Sequence, residues 1–167
     1  MSGVRRLSDW VCRQAASQPE ATAIVDRAIP LAYGALEEVS NRIAWALHRG
    51  GCRPGDRVAL LSPKSAMAVA AMLATYKLGA LLVPLDPGSP VQRLALILRS
   101  AGCGWLLAAG APGVSGMLLE LQSAAPGSSA ARLGWLGSLD DLNDLEGAVG
   151  RGLAPVFDRA DIARESP

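Results

Sequence analysis

The chain has 167 residues, half of them apolar, with 16 basic against 15 acidic side chains and a formal net charge of +1. That length suits one domain with a real core. The balance excludes a disordered or low-complexity chain, and no Lys/Arg-rich run lays down a stripe for tracking nucleic-acid phosphates.

Leu7, Trp10, Val11 and Ala15 recur at helical spacing, which predicts an inward-facing amphipathic helix over Leu7 to Ser17. Ala23 to Asp26 reads as a short strand, Arg27-Ala28 as a turn and Ile29 to Leu31 as the returning edge. A second helix follows over Tyr33 to Arg49, with Leu36, Val39, Ile43 and Leu47 on its core face and Glu37, Glu38, Asn41 and Arg42 on the other. Gly50-Gly51 supplies a left-handed stop, and Arg53-Pro54-Gly55-Asp56 has the proline and glycine order of a type II turn.

Val58 to Leu61 is an uninterrupted apolar strand, the pattern of a strand covered on both faces. Ser62 to Ser65 opens a helix running to about Leu78, apolar nearly all round and hence buried. Leu81 to Val83 forms the next strand. Ser89 then caps, and Pro90 starts, a helix in which Leu94, Ile97 and Leu98 face inward and which Gly102 ends. Trp105 to Ala108 is a further strand. This alternation with short connections predicts an α/β fold, a layered, mainly parallel sheet with helices on both faces. Met117 to Gln122 reads as a short helix, Leu133 to Leu136 as a strand and Asp140 to Leu145 as an acidic turn of helix; residues 1–146 form the domain and 147–167 a loosely ordered tail.

Cys12, Cys52 and Cys103 lie far apart without a C-x-x-C, and His48 is the sole histidine, which argues against a zinc site and for reduced thiols in the cytoplasm. Arg5-Arg6 precede no apolar core of a secretory signal. The apolar run Ala66 to Leu85 has the length of a membrane span, but Lys77, Gly79 and Pro84 divide it into helix plus strand, so no membrane partner is expected.

Four segments in order carry a family resemblance. Pro19 to Val25 looks like an opening P-D-x-x-A-V, and Leu31-Ala32-Tyr33-Gly34-Ala35-Leu36 resembles the core motif L-[TS]-Y-x-E-L. Gly55-Asp56-Arg57-Val58-Ala59-Leu60 matches G-D-R-V-A-[LI], and Tyr76 to Pro87 is similar to L-K-A-G-x-x-x-V-P-[LI]-D-P, with Leu78 in place of the customary alanine. Together they resemble the acyl-adenylating (AMP-binding) superfamily of nonribosomal-peptide adenylation domains and acyl-CoA synthetases. The likeness spans about Leu7 to Leu142. Ala32 stands where a Thr or Ser would cap the second helix, a loss of about 1 kcal/mol, and Ala35 where a glutamate is usual.

The resemblance implies one subdomain of the large N-terminal domain of a ligase that activates a carboxylate with ATP and magnesium and passes the acyl group to CoA or a carrier protein. Its Ser/Thr/Gly-rich phosphate loop and later catalytic motifs do not occur here; Phe157 to Ile162 resembles the lead-in to that loop. The chain is therefore expected to be an N-terminal fragment or subunit, inactive alone, with no catalytic, cofactor-binding or metal residues of its own. The alternative is a non-catalytic module that docks onto a partner chain carrying the ATP site. Either way an exposed apolar face should pair with a complementary segment or with itself. Val83 to Pro87 leans toward the peptide-synthetase branch.

Individual candidates have plainer explanations. Ser62-Pro63-Lys64-Ser65 could hold an anion at a helix N-terminus, yet a capped start with a solvated Lys64 explains it as well. Gly102 and Gly104 precede a strand, the wrong side for a dinucleotide fingerprint. Asp86 reads as a turn-former, Asp140, Asp141 and Asp144 as a solvated face, and Trp10, Trp45, Trp105 and Trp135 as packing anchors.

Overall fold

The computed structural model describes residues 7–109, residue 121 and residues 132–136. In chain order these form α1 (Ser8–Ser17), β1 (Thr22–Asp26), β2 (Ile29–Ala32), α2 (Tyr33–Gly50), β3 (Arg57–Leu61), α3 (Ala66–Lys77), β4 (Leu81–Leu85), α4 (Val91–Ala101), β5 (Trp105–Ala109) and β6 (Arg132–Leu136). The expected helix at Met117 to Gln122 (apart from Leu121, which is buried), the acidic turn at Asp140 to Leu145 and the tail lie outside the described residues.

β3, β4, β5 and β6 make one parallel sheet in the order β4-β3-β5-β6. The chain enters at β3, steps outward to β4, then returns past β3 to β5, so its winding direction reverses beside β3 as in doubly wound sheets. Side chains alternate across the strands, and both faces are covered. Val58, Leu60, Trp105 and Leu107 share one core with α2 and α3. Ala59, Leu61, Leu106 and Ala108 share the other with Leu94, Ala95 and Leu98 of α4. Two-sided burial is the reason β3 carries no polar residue after Arg57.

Local choices lock this arrangement. Ala32 makes no side-chain cap, but Tyr33 and Gly34 donate their N–H groups to the carbonyls of Ala21 and Pro19, each at 2.9 Å. Backbone acceptors thus replace the missing cap. At the other end of α2, Gly51 takes the left-handed conformation at φ 103° while Gly50 remains helical. A Cβ on Gly50 would sit 2.9 Å from the Trp105 ring, so the helix approaches β5 this closely only with glycine there. The turn after it is the expected one: Gly55 has φ 87° and Asp56 donates its N–H to the Arg53 carbonyl at 3.0 Å.

The structure departs from the periodicity in three places. In α1 the buried side runs through Ser8, Val11, Cys12 and Ala15, whereas Leu7 and Trp10 are 66% and 56% exposed. Trp10 therefore packs under the Arg13 guanidinium (5.8 Å) instead of anchoring a core. In α4 the helix begins at Val91 with no side-chain cap, because the cap position is taken by Pro90, whose ring offers no acceptor, and Ser89 stands one residue too early, its N–H closing the preceding turn on the Asp86 carbonyl at 2.9 Å. Pro90 stands just before the helix and its carbonyl accepts from Arg93 and Leu94. The third departure, on α2, belongs with the site.

β4 extends to Leu85 and so contains Pro84. As an edge strand it tolerates a residue without an N–H donor. Among the described residues no helix is long and apolar enough to cross a membrane; the twelve residues of α3 span about 18 Å.

Candidate functional site

In parallel sheets ligands gather at the carboxyl ends of strands, where the winding reverses. Here that edge presents the β3–α3 corner, Ser62 to Ser65, and the β4–α4 turn, Asp86 to Pro90. Both are occupied by the protein's own groups. The Ser65 hydroxyl accepts the Ala68 N–H at 3.1 Å, a standard helix cap. The Ala66 N–H donates to Oδ2 of Asp26, which reaches over from β1 at 2.9 Å. A carboxylate from forty residues away thus holds the position an anion would take. Ser62 Oγ donates to the Pro63 carbonyl (2.8 Å), and Lys64 is exposed. The anion-holding possibility raised by Ser62-Pro63-Lys64-Ser65 gives way to a capped helix start.

Asp86 behaves as expected of a turn-former: its Oδ1 accepts the Gly88 N–H at 2.9 Å. Gly102 ends α4 in a left-handed cap at φ 63°, ahead of β5. The single His48 stacks on Trp45 with ring centroids 5.9 Å apart. Trp105 is buried, Trp45 half-buried; the side chain of Trp135 and the Asp140, Asp141 and Asp144 cluster lie outside the described residues.

Among the described residues a half-buried polar cluster joins α1, α2 and α3, and helical periodicity misplaces it. Lys77 Nζ lies 2.9 Å from Glu37 Oε1 and donates to Ser40 Oγ (2.7 Å) and Asn41 Oδ1 (2.6 Å). Glu37 Oε1 also accepts from Asn41 Nδ2 and Cys12 Sγ, each at 3.2 Å. Glu37 and Asn41 are therefore not on a solvent face of α2. α3 and α1 cover that side of the helix, leaving Glu38 and Arg42 as its surface ion pair at 2.9 Å. The sequence signal was Lys77 itself, a cation closing an otherwise apolar helix, which when half-buried requires a partner. The bonds of Lys77 and Cys12 tie α3 and α1 to α2, and Asn41 braces Glu37 within α2, a structural arrangement.

All three thiols are held in the protonated form. Burial raises Cys12, reinforced by its hydrogen bond to Glu37, and burial raises Cys103. Fully enclosed Cys52 is pushed from 9.0 up to about 11, mainly by burial and then by the Asp56 carboxylate. Thiolate is the nucleophile, so none of these cysteines is set up for covalent chemistry. The sign of the linkage follows. The stabilisation is full below pH 9.0, where folded and unfolded chains both keep the proton. It is lost as pH rises toward about 11, because the unfolded thiol ionises first. Urea midpoints between pH 8 and 11 should fall by the equivalent of about 2 kcal/mol, and a Cys52→Ala variant should fall less over the same range.

ATP with magnesium, the pair implied by the family likeness, would have to meet groups other than two candidates in the described residues. The α3 N-terminus is filled by Asp26, and among these residues no three His, Cys, Asp or Glu side chains converge as ligands.

Comparison with known proteins sets the chain against much longer relatives. Over 113 residues the chain is 39% identical to phenyloxazoline synthase MbtB of Mycobacterium sp. (strain MCS), covering 65% of this chain but 10% of that protein. The crystal structure of the nonribosomal peptide synthetase FmoA3, with α-methyl-L-serine-AMP bound, superposes with a TM-score of 0.68 at 30% identity. That match takes in 93% of this chain and 16% of the other. The inhibitor-bound N-terminal domain of FACL13 from Mycobacterium tuberculosis gives 0.67 at 27% identity, over 92% of this chain and 38% of that one. This chain thus spans a minor share of each relative. The model of the AMP-binding enzyme family matches residues 11–147, and the chain belongs to that family.

Proposed function

We propose that the chain is the N-terminal α/β portion of an ATP-dependent, carboxylate-activating ligase, with residues 1–146 as one of its subdomains and 147–167 leading toward its phosphate loop. The complete enzyme would join a carboxylate to AMP, release pyrophosphate and hand the acyl group to a thiol. Its relatives lean toward the peptide-synthetase branch, which makes a carrier-protein phosphopantetheine the thiol of choice over CoA. A cytoplasmic setting, where ATP is at hand, accompanies this reading.

One observation carries the scaffold role. The family match takes in the described region from residue 11 onward, yet Asp26, Ser65, Glu37, Lys77 and Asp86 each bond within the fold. Adenylate formation depends on pre-placed charge around the α-phosphate, and those groups come from another polypeptide segment. The chain alone should show no carboxylate-dependent pyrophosphate exchange. Exchange above a no-carboxylate control, tested across a panel of amino and aryl acids, would refute the scaffold role.

Leu81 on the edge strand, Leu96 on α4 and Val25 and Ile29 on the hairpin are large apolar residues left exposed. They favour a covering surface on that other segment, whether joined to this chain or separate from it. Co-expression with a segment carrying the Ser/Thr/Gly-rich loop should restore exchange and yield a co-purifying complex.

A further inference from the structure

The β1–β2 hairpin holds two opposed features at its tip. Its two-residue turn places Arg27 at φ 47° and Ala28 at φ 68°. Tight hairpins require this left-handed geometry, but glycine and asparagine adopt it readily, whereas arginine and alanine do so under strain. Directly before the turn, Asp26 Oδ2 accepts the Ala66 N–H of α3 at 2.9 Å.

Burial does not hold the tip down. Val25 is 66% and Ile29 47% exposed, and Arg27, Ala28 and Pro30 face solvent. The apolar anchors, Ala23, Ile24 and Leu31, all belong to the hairpin's base.

We propose that the tip is a detachable strap, loaded by the strained Arg27-Ala28 turn and latched by the Asp26 carboxylate on the first N–H of α3. Opening relieves the turn and gives up the charge-assisted hydrogen bond together with the outermost pairing of the hairpin, Asp26 opposite Ile29, while the base stays packed. It therefore proceeds without unfolding of the sheet, as local openings do where little apolar surface is buried. Each opening frees the Ala66 N–H and uncovers the β3–α3 corner at the sheet's carboxyl edge. The inference concerns the fold alone and stands whether or not the ligase reading does.

Hydrogen exchange on the 167-residue chain, read residue by residue, tests it. In the wild type, amides of residues 25–29 should exchange at least tenfold faster than those of Val58 to Leu61. Asp26→Asn should speed tip exchange about tenfold and leave β3 and β5 unchanged. Ala28→Gly should slow tip exchange about tenfold without touching the latch. Tip amides that exchange at the β3 rate, or variants that shift tip and β3 equally or shift neither, would overturn the strap.

Discussion

Lys77→Met should lower the stability of the chain by about 3 kcal/mol, the low end of what removing one partner from a buried ion pair costs. The low end applies because the two side chains keep 13% and 20% of their exposure. Methionine fills much the same volume, so lost packing is minor. The cost falls on Glu37, whose Oε2 is enclosed without a hydrogen-bond partner and whose Oε1 would lose its cation. At this chain length the change corresponds to a drop in Tm of roughly 6–12 °C.

The diagnostic is a double variant. Lys77→Met with Glu37→Leu replaces the whole pair by apolar groups, and should recover most of the loss, since an unpaired charge is worse than none. Urea denaturation of the two singles and the double gives the coupling directly. A Lys77→Met variant within about 0.5 kcal/mol of wild type, the range of an ordinary surface change, would show that the node contributes nothing.

Leu94→Ala should cost about 3 kcal/mol, in the range of Leu-to-Ala cavities in closed cores. α4 is the one described helix packed on the second face of the sheet, and Leu94, Ala95 and Leu98 are its buried residues. Ala95 offers only a methyl group, so the large buried anchors are Leu94 and Leu98, the latter keeping 8% of its surface. Leu94 is the one fully enclosed, in the core shared with Leu61 and Leu106, so its truncation leaves the best-sealed cavity. Leu96 lies two residues on and is 56% exposed, so Leu96→Ala should stay within about 0.5 kcal/mol. Equal losses at both positions would mean that α4 is not held by this face.

Strand and helix order was legible because each element carries its own local cause. Gly55 allows the positive φ of its turn, the apolar run Val58 to Leu61 demands cover on both sides, and Gly102 ends α4 in a left-handed cap. Parallel pairing followed from helices sitting between strands. The family likeness rested on the same segments, and the family match across residues 11–147 bears it out.

Reading failed where a partner is distant in sequence. Nothing near Asp26 announces that its carboxylate caps a helix forty residues later. Glu37 and Asn41 look solvated by period alone, and Trp10 looks buried by the same rule.

The amino-acid order by itself determined the layered α/β architecture, its turns and its membership among adenylate-forming enzymes, because hydrophobic period, glycine placement and short motifs act over a few neighbouring residues. Tertiary structure alone decided which polar groups are free for chemistry. Hydrogen bonds and ion pairs form between atoms brought within about 3 Å, and proximity of α1 to α2, of α2 to α3 and of β1 to α3 is a property of packing that no local pattern encodes.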